Sequence, residues 1–420
     1  RGGEGEPERV AVAPRLAADG DALELLLDQQ QLEARARRGR ADHRTFVGGV
    51  ADVEVDLTWS QQTFTFSNAN GGLPLTSGGL NAGKPIAAVG DVNGDGFDDV
   101  LVTFTKYDYA NFTFQSVTQL ILGNSDPAAV STIELALPIG VNNVVRATGG
   151  GDVNGDGADD FVIVGADLEN FDFSTSVVAI YFGCADPATC DNTELTTPDA
   201  AITHNPGETS VFDGIHMVGE YYRRNTDTQV YDDIFVGGNA YPDNSSFQQG
   251  YVIAGRSTAD WEASGSFAIN PNGDAAAGIA NVVSGVLTIK SPPNTAVPGR
   301  SVVVINTNTD ASGNDYSQLV ISAHSSPATA LPQFVFVAQG GSEATFLSGV
   351  QEMQSSALLS VPSCATSVTP TQAEGFGQAI VGGIDSDGNQ IDLDGVDGAD
   401  IAISVNSRIA VLNEALQEVD

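Results

Sequence analysis

The chain is poor in sulfur, histidine and positive charge, and each shortage excludes a class of function. It has 3 Cys, 2 Met and 4 His in 420 residues. No Cys pair has CxxC spacing and no two His lie at metal-ligand spacing, so we expect no zinc or copper centre. Lys and Arg number 17 against 54 Asp and Glu, a net charge of −37. That charge disfavours contact with nucleic acid and with anionic membrane surfaces.

The known signatures of catalysis and of membrane insertion are also absent. The sequence has no G-x-S-x-G elbow, no Walker loop and no GxGxxG after a strand-like segment. It has no run of about 18 apolar residues, the length that crosses a bilayer. We therefore expect a protein that is not an enzyme and is not inserted in a membrane.

Charge distribution divides the chain near residue 44. Residues 1–44 hold 8 basic and 9 acidic residues, whereas the rest of the chain holds 9 basic and 45 acidic ones. We interpret 1–44 as an N-terminal tail, in which Ala22–Arg38 is predicted to be a short helix or, alternatively, unstructured. The Gly-rich, Lys-poor remainder, 45–420, is typical of a turn-dense secreted β protein.

What the chain does have is a short motif that occurs twice. Asp91–Val102 reads DVNGDGFDDVLV, and 61 residues later Asp152–Ile163 reads DVNGDGADDFVI. Oxygen-bearing groups stand at positions 1, 3, 5, 7 and 9 of a Gly-broken loop, which is how a chain wraps a hard cation. The candidate ligands are Asp91, Asn93, Asp95, the carbonyl of Phe97 and Asp99 in the first loop, and Asp152, Asn154, Asp156, the carbonyl of Ala158 and Asp160 in the second.

The donor set of these loops favours Ca²⁺, because it contains carboxylates, an amide and a carbonyl but no His or Cys. An EF-hand needs a bidentate Glu at position 12 and flanking helices, whereas position 12 here is Val102 or Ile163 within a strand-forming run. A dockerin loop also needs helices. We therefore predict strand–loop–strand calcium sites; the alternative is an Asp/Asn/Gly hairpin turn without an ion.

The same register recurs in weaker form further along the chain. A carboxylate-rich segment at 383–403 offers two alternative starts and one closing residue: Asp385, Asp387 and Asn389, or Asp392 and Asp394, with Asp400 closing either shell. Two poorer loops precede it and could keep their fold through hydrogen bonds alone. Their candidate ligands are Asn225, Asp227, Gln229 and Asp233 in the third loop, and Asp310, Ser312 and Asn314 in the fourth.

The five loops start 61 to 85 residues apart, and each lies in a similar succession of strands. An apolar run precedes the loop, a second strand follows it, and a third ends in an apolar–Gly signal such as TQLILG or VAIYFG. Repeats of four short antiparallel strands predict an all-β fold, a β-propeller of four-stranded antiparallel blades. We expect about five blades; the alternative is six or seven, in a chain that is truncated. The segment Val50–Trp59 could close the ring by completing the last blade.

These residues resemble the FG-GAP repeats of the integrin α-subunit propeller and its bacterial relatives. The two DVNGDG loops carry the resemblance, together with Phe376-Gly377 before an apolar run, and it extends over roughly residues 80–420. It implies calcium-stabilised blades, a secreted or cell-surface location, and a role in adhesion or ligand recognition. Those propellers usually have seven blades, whereas five loops are found here. The resemblance does not identify the ligand, which we expect to be a protein or a glycan.

Two further features concern the compartment and the ligand. Cys184 and Cys190 bracket a short loop and form either a local disulfide, as in an oxidising compartment, or two thiols, while Cys364 is left over. A carbohydrate-binding propeller, or the binding module of a polysaccharide-active enzyme, is the alternative function. The aromatic residues that could stack on a sugar, or instead fill the core, are Trp59, Tyr221, Tyr222 and Trp261.

Overall fold

The computed structural model describes residues 22–28, 61–67, 86–108, 113–126, 130–138, 141, 143–167, 172–188, 190, 193–204, 210–240, 249–264, 267–269, 285–290, 297–324, 334–347, 349–352, 379–384, 389–393, 396, 398–405, 408–413 and 416. In these residues the fold is all-β, and most strands fall into five successive antiparallel units. A 3-10 turn (Glu194–Thr196) and a seven-residue helix, α1 (Thr258–Ser264), also occur. Across these ranges, no helix has the length and apolar character needed to cross a membrane.

The N-terminal region contains a strand where a helix was predicted. β1 (Ala22–Asp28) pairs antiparallel with β2 (Gln61–Ser67), and Leu23 lies opposite Phe66. The Leu residues of ALELLLD fit both periods, since positions 23, 26 and 27 suit a helix face and positions 23, 25 and 27 suit one strand face. Pairing with β2 selects the strand, so the helix prediction for this stretch was wrong.

Each of the five units begins with a strand that leads into a loop and a second strand. The strands of unit 1 are β3 (Ile86–Gly90), β4 (Asp99–Asp108), β5 (Thr113–Leu122) and β6 (Ser131–Glu134). Those of unit 2 are β7 (Asn143–Gly151), β8 (Asp160–Asp167), β9 (Asp172–Tyr181) and β10 (Ala200–His204). Both units are four-stranded antiparallel meanders, as predicted.

The later units carry additional short strands. Unit 3 and its insertions contain β11 (Ser210–Met217), β12 (Tyr222–Arg223), β13 (Ile234–Ala240), β14 (Gln249–Ile253), β15 (Phe267–Ile269) and β16 (Val286–Lys290). Unit 4 contains β17 (Val297–Thr309), β18 (Asp315–His324), β19 (Phe334–Gln339), β20 (Gly341–Ser342) and β21 (Val350–Glu352). Unit 5 contains β22 (Ile380–Ile384), β23 (Gln390–Ile391), β24 (Ile401–Val405) and β25 (Arg408–Leu412).

The units pack face to face in chain order, because alternate residues of a strand point to opposite faces of its sheet. In unit 2, Phe161 and Ile163 join the apolar cluster shared with unit 1, while Val162 and Val164 join the cluster shared with unit 3. Two further clusters join units 3 and 4 and units 4 and 5. A strand buried on both faces reads as a continuous apolar run, which explains the sequence FVIV.

The first strands of the units lie side by side in succession: β3, β7, β11, β17 and β22. The last two are close enough to pair at Val304 and Ile384, so units 4 and 5 share one sheet. At the outer edge, β15 adds parallel to β10 of unit 2, and β21 adds parallel to β16 of unit 3. Within the described ranges, no strand pairing joins unit 5 to unit 1. Val50–Trp59, the predicted closing segment, lies outside these ranges.

Candidate metal centre

The two best-kept motifs form the loops between the first and second strands of units 1 and 2. Loop 1 (residues 91–98) joins β3 to β4, and loop 2 (residues 152–159) joins β7 to β8. The strand–loop–strand arrangement is therefore as predicted, and neither loop is flanked by a helix. Both loops lie at the same end of their units, because they occupy equivalent places in successive meanders.

Loop 1 is wound tightly by hydrogen bonds from its own backbone to its own side chains. Asp91 Oδ2 accepts from Gly96 N at 2.7 Å, and Asp91 Oδ1 accepts from Asp95 N at 3.0 Å. Asn93 Oδ1 also accepts from Asp95 N, at 3.0 Å, and its Nδ2 donates to Asp95 Oδ2 at 3.1 Å. Asp95 Oδ1 accepts from Phe97 N at 2.9 Å. Positions 1, 3 and 5 are thus drawn together on one side of the turn.

Loop 2 repeats these bonds almost one for one. Asp152 Oδ2 accepts from Gly157 N at 2.8 Å, and Asp152 Oδ1 accepts from Asp156 N at 3.1 Å. Asn154 and Asp156 bond each other at 3.0 Å, as their counterparts in loop 1 do. Two loops 61 residues apart in the sequence therefore adopt the same conformation, so the shared motif determines a shared local structure.

Glycine is required in these loops for backbone conformation. Gly94 and Gly96 have φ of 69° and 89°, and the equivalent Gly155 and Gly157 have φ of 76° and 92°. This left-handed region disfavours residues that carry a Cβ atom. A Cβ atom added at Gly96 would find no heavy atom within 4 Å. The requirement at that position is therefore the positive φ itself.

The closing carboxylate of each loop is buried at the start of the second strand. Asp99 and Asp160 are 0 % exposed. Asp99 Oδ2 accepts from Val92 N at 3.0 Å and Oδ1 accepts from Gly123 N at 2.7 Å. Asp160 makes the matching pair of bonds, to the backbone N–H groups of Val153 and Gly183, both at 2.8 Å. Each closing Asp thus ties its loop to the end of the third strand of its unit.

Burial raises the pKa of both closing carboxyl groups. The pKa of Asp99 rises to about 8, chiefly through loss of hydration, and the negative charges of Asp95 and Asp91 raise it further. The pKa of Asp160 is likewise raised well above its usual range, mainly by burial and also by Asp152 and Asp156. Hydrogen bonds from the backbone lower both values without offsetting burial. The charged form of both carboxyl groups is therefore disfavoured in this conformation.

A second carboxylate, one residue earlier, links each unit to the preceding one. Asp159 Oδ2 accepts from Asp91 N at 2.7 Å, and Asp232 Oδ2 accepts from Asp152 N at 2.9 Å. Sequence reasoning missed both roles, although the repeated Asp-Asp doublet was visible. A Cβ atom at Gly90 would overlap the Asp159 carboxylate. In these doublets, the second Asp therefore closes its own loop, and the first Asp bonds to the loop of the preceding unit.

Backbone bonds add to this connection between units. The carbonyl of Val92 accepts from Cys184 N at 2.9 Å, and the carbonyl of Val153 accepts from Arg256 N at 2.9 Å. Trp261 Nε1 also donates to the carbonyl of Val153, at 3.1 Å. Cys184 forms a disulfide with Cys190, with Cα atoms 5.4 Å apart, as in the first of the two alternatives above. Loops 1 and 2 are therefore both covered by the following unit.

The third loop has a different register from the predicted one. Asp233 is buried and accepts from Gly255 N at 2.9 Å and from Tyr221 N at 2.9 Å. Tyr221 is therefore structurally equivalent to Val92 and Val153. It follows that position 1 of this loop is Glu220 and not Asn225. The longer loop contains an insertion that the 1-3-5-7-9 spacing did not detect.

Three of the ligands predicted in the third loop bond to separate partners. The backbone N–H of Asn225 donates to Glu343 Oε2, the carboxylate of Asp227 pairs with Arg224, and Gln229 Nε2 donates to the carbonyl of Gly155. The structure does not bring Asn225, Asp227 and Gln229 together around one point. In this conformation they form no common shell, and the ligand set of this loop stays a prediction.

The fourth loop is a hydrogen-bonded turn at the tip of the β17–β18 hairpin. Asp310 N donates to the carbonyl of Asn314 at 2.8 Å, and Asp310 Oδ1 accepts from Ser312 N at 2.7 Å and Asn314 N at 3.0 Å. The hydrogen bonds from Asn314 are the largest of the effects that lower the pKa of Asp310. Position 9 is Gln318, so this loop has no buried closing carboxylate.

The last loop can be aligned with loops 1 and 2 through its closing residue. Asp400 is buried, and its Oδ2 accepts from Leu393 N at 2.7 Å. The donor lies seven residues before the carboxylate, as it does for Asp99 and Asp160, so Asp392 holds position 1. Asn389 lies before β23 and is outside this register. Asp385, Asp387 and Asp394 fall outside the described residues.

Across the described residues, no three His, Cys, Asp or Glu side chains converge as a metal-binding group. In this conformation the loop carboxylates face backbone N–H groups instead. The donor set still fits a hard cation, because positions 1, 3 and 5 already lie on one turn and every candidate atom is an oxygen. The positions of the ligands in loops 1 and 2 remain a prediction.

Comparison with known proteins supports the reading of unit 1. The family model for the FG-GAP repeat matches residues 85–115, which contain β3, loop 1 and β4. The chain therefore contains an FG-GAP repeat, and the resemblance is confirmed at this unit. No match to the chain was found among curated proteins.

Proposed function

We propose that this chain is a calcium-binding, non-enzymatic β-propeller that acts in adhesion or in recognition of a protein or glycan outside the cytoplasm. The observation that carries the proposal is the shared conformation of loops 1 and 2. Each loop holds an Asp, an Asn and a second Asp on one turn, and closes with a buried Asp whose pKa is raised. A bound cation would favour the charged form of these carboxyl groups.

Calcium would bind through Asp91, Asn93, Asp95, the carbonyl of Phe97 and Asp99, and through the equivalent atoms of loop 2. Its role is structural: it neutralises clustered carboxylates that otherwise repel one another. Ca²⁺ suits the loop better than Mg²⁺, since it accepts irregular shells of six to eight oxygens whereas Mg²⁺ requires near-ideal octahedral geometry. An extracellular module of this kind binds with a dissociation constant of about 10⁻⁴–10⁻³ M.

The propeller arrangement is supported by the order of the units. First strands lie side by side in succession, and each inner unit buries both faces against its neighbours. Five such units around one axis, closed by Val50–Trp59, would form a ring of about five blades. The disulfide between Cys184 and Cys190 favours an oxidising compartment, and hence secretion or display at the cell surface.

A protein ligand is favoured over a glycan by the placement of the aromatic residues. Tyr221, Tyr222 and Trp261 are at most 1 % exposed and pack inside the units, so none of the three offers a ring face to a sugar. Trp59 lies outside the described residues. The acidic body makes nucleic acid an unfavourable partner.

Calcium titration of the chelated protein tests the structural role. At calcium ten-fold above the dissociation constant, each occupied loop should add about 1.4 kcal/mol to the free energy of unfolding. Calorimetric titration should give bound heat, and the melting temperature should rise. Asp95→Ala combined with Asp156→Ala should remove most of that rise, whereas Asp310→Ala, in the hairpin turn, should retain it. A wild-type protein with no bound heat and no rise in melting temperature would refute the proposal.

A further inference from the structure

Positive charge is scarce in the body of the chain and is concentrated at the third loop. Beyond residue 44 there are 9 Lys and Arg residues, and three of them, Arg223, Arg224 and Arg256, lie in or beside this loop. Arg256 is 1 % exposed, with its guanidinium 4.3 Å from the Trp261 ring centroid. Three of the nine basic residues beyond residue 44 therefore lie at a loop whose metal-type register is interrupted by an insertion.

Arg223 engages the carboxylate at position 1 of this loop. Its Nε and Nη2 donate to the two carboxylate oxygens of Glu220, a fork-to-fork ion pair. Its Nη1 donates to Asn314 Oδ1 of unit 4 at 2.6 Å, and its guanidinium lies 5.7 Å from the ring centroid of Tyr316. Glu220 stands where Asp91 and Asp152 begin their loops. Its charge is therefore neutralised from within the chain.

Arg224 pairs with a carboxylate in the inserted part of the loop. Its Nη2 lies 2.7 Å from Asp227 Oδ1 and 3.8 Å from Asp260 Oδ2. The side chains of Arg224 and Asp227 are only 12 % and 3 % exposed, so this ion pair is shielded from water. Removing one partner of an ion pair in such a place is strongly destabilising, because the remaining charge is left without its partner. The third loop thus contains both charges of each pair, whereas the sequences of loops 1 and 2 contain no Lys or Arg.

We propose that Arg223 and Arg224 supply to unit 3 the positive charge that a metal ion supplies to units 1 and 2. This inference rests on the proposed calcium binding for its contrast between units, although the ion pairs stand without it. Unit 3 is then independent of metal and keeps its packing when calcium is removed. The guanidinium of Arg223 also joins units 3 and 4 through Asn314, so that junction is independent of metal as well.

The test uses chemical rescue of the full chain in chelator. Arg223→Ala should lower the melting temperature by about 5 °C or more, the loss expected when one partner of a shielded ion pair is removed. Glu220, Arg223 and Asn314 line a pocket of about 400 Å³. Millimolar methylguanidinium can therefore reach the Glu220 carboxylate that the truncation leaves without Arg223, and it should restore at least half of the loss in melting temperature. The control is the wild-type protein, in which Arg223 already occupies the Glu220 carboxylate and methylguanidinium should not raise the melting temperature.

Two results would overturn the inference. One is an Arg223→Ala loss that methylguanidinium does not restore, which would make the role of the side chain one of packing alone. The other is a fall in the number of bound calcium ions in Glu220→Gln, because loop 3 would then bind metal. If Arg223→Ala does not fold, the calcium count of Glu220→Gln still decides, with an unchanged count expected. Failure of calcium binding in the wild type would refute the proposed function instead, and the rescue in chelator is independent of it.

Discussion

Gly90→Ala tests whether the contact between units 1 and 2 depends on the absence of a side chain. Gly90 has φ of 77°, and a Cβ atom there would overlap the carboxylate of Asp159. That carboxylate accepts from Asp91 N at 2.7 Å. The substitution therefore adds backbone strain and also displaces the acceptor that anchors loop 1.

The two effects have separate magnitudes. A residue with a Cβ atom in the left-handed region costs about 1–2 kcal/mol, and loss of a hydrogen bond to a charged group costs about 1.5–3 kcal/mol. Gly90→Ala should thus lower the free energy of unfolding by about 3–5 kcal/mol. Gly96→Ala is the matched control, since φ is 89° and a Cβ atom there meets nothing within 4 Å. It should cost only the strain, about 1–2 kcal/mol.

Urea unfolding followed by circular dichroism, in chelator, measures both losses, and hydrogen exchange of peptides from 86–108 assigns them to unit 1. A double-mutant cycle then isolates the contact: with Asp159→Ala already present, Gly90→Ala should cost no more than Gly96→Ala. Equal losses for the two glycine variants in the wild-type background would refute the reasoning. So would a cycle in which the costs of Gly90→Ala and Asp159→Ala simply add.

Two further predictions concern the third loop and the disulfide. Asp233→Asn leaves one acceptor oxygen for the backbone N–H groups that the carboxylate now satisfies, and it should lower the free energy of unfolding by about 2–3 kcal/mol; the exposed Asp310→Asn should leave the urea midpoint unchanged. Replacing Cys184 and Cys190 together by Ser should cost about 2 kcal/mol, as expected for a short closed loop. Because the carbonyl of Cys184 would lie 2.7 Å from a Cβ atom at Gly94, amide exchange in loop 1 should also rise, and unchanged exchange there would contradict the proposed cover.

Local features were predictable from the sequence, and contacts between units were not. Loops 1 and 2 were found because their alternating oxygens and glycines are a property of nine consecutive residues. The third loop was misread because its closing Asp233 bonds to Tyr221 across an insertion, and no fixed spacing reveals that distance. Glu220 was overlooked for the same reason, since its role follows from the register of the fold.

The separate roles of the two Asp residues in a doublet could not be predicted from the sequence either. Asp98-Asp99 and Asp159-Asp160 read alike in the sequence. The structure assigns Asp160 to its own loop and Asp159 to the loop of the preceding unit, where Asp91 lies 68 residues away. Periodicity also indicated a helix for the N-terminal Leu run, whereas pairing with Gln61–Ser67 makes residues 22–28 a strand.

The short parallel strands β15 and β21 have a consequence for mechanical load. Each leaves its own unit and pairs over three residues with the outer edge of the unit before it. Separating neighbouring units therefore requires breaking these backbone hydrogen bonds as well as the packing between the units. The same strands cover edges that could otherwise recruit a strand from another chain.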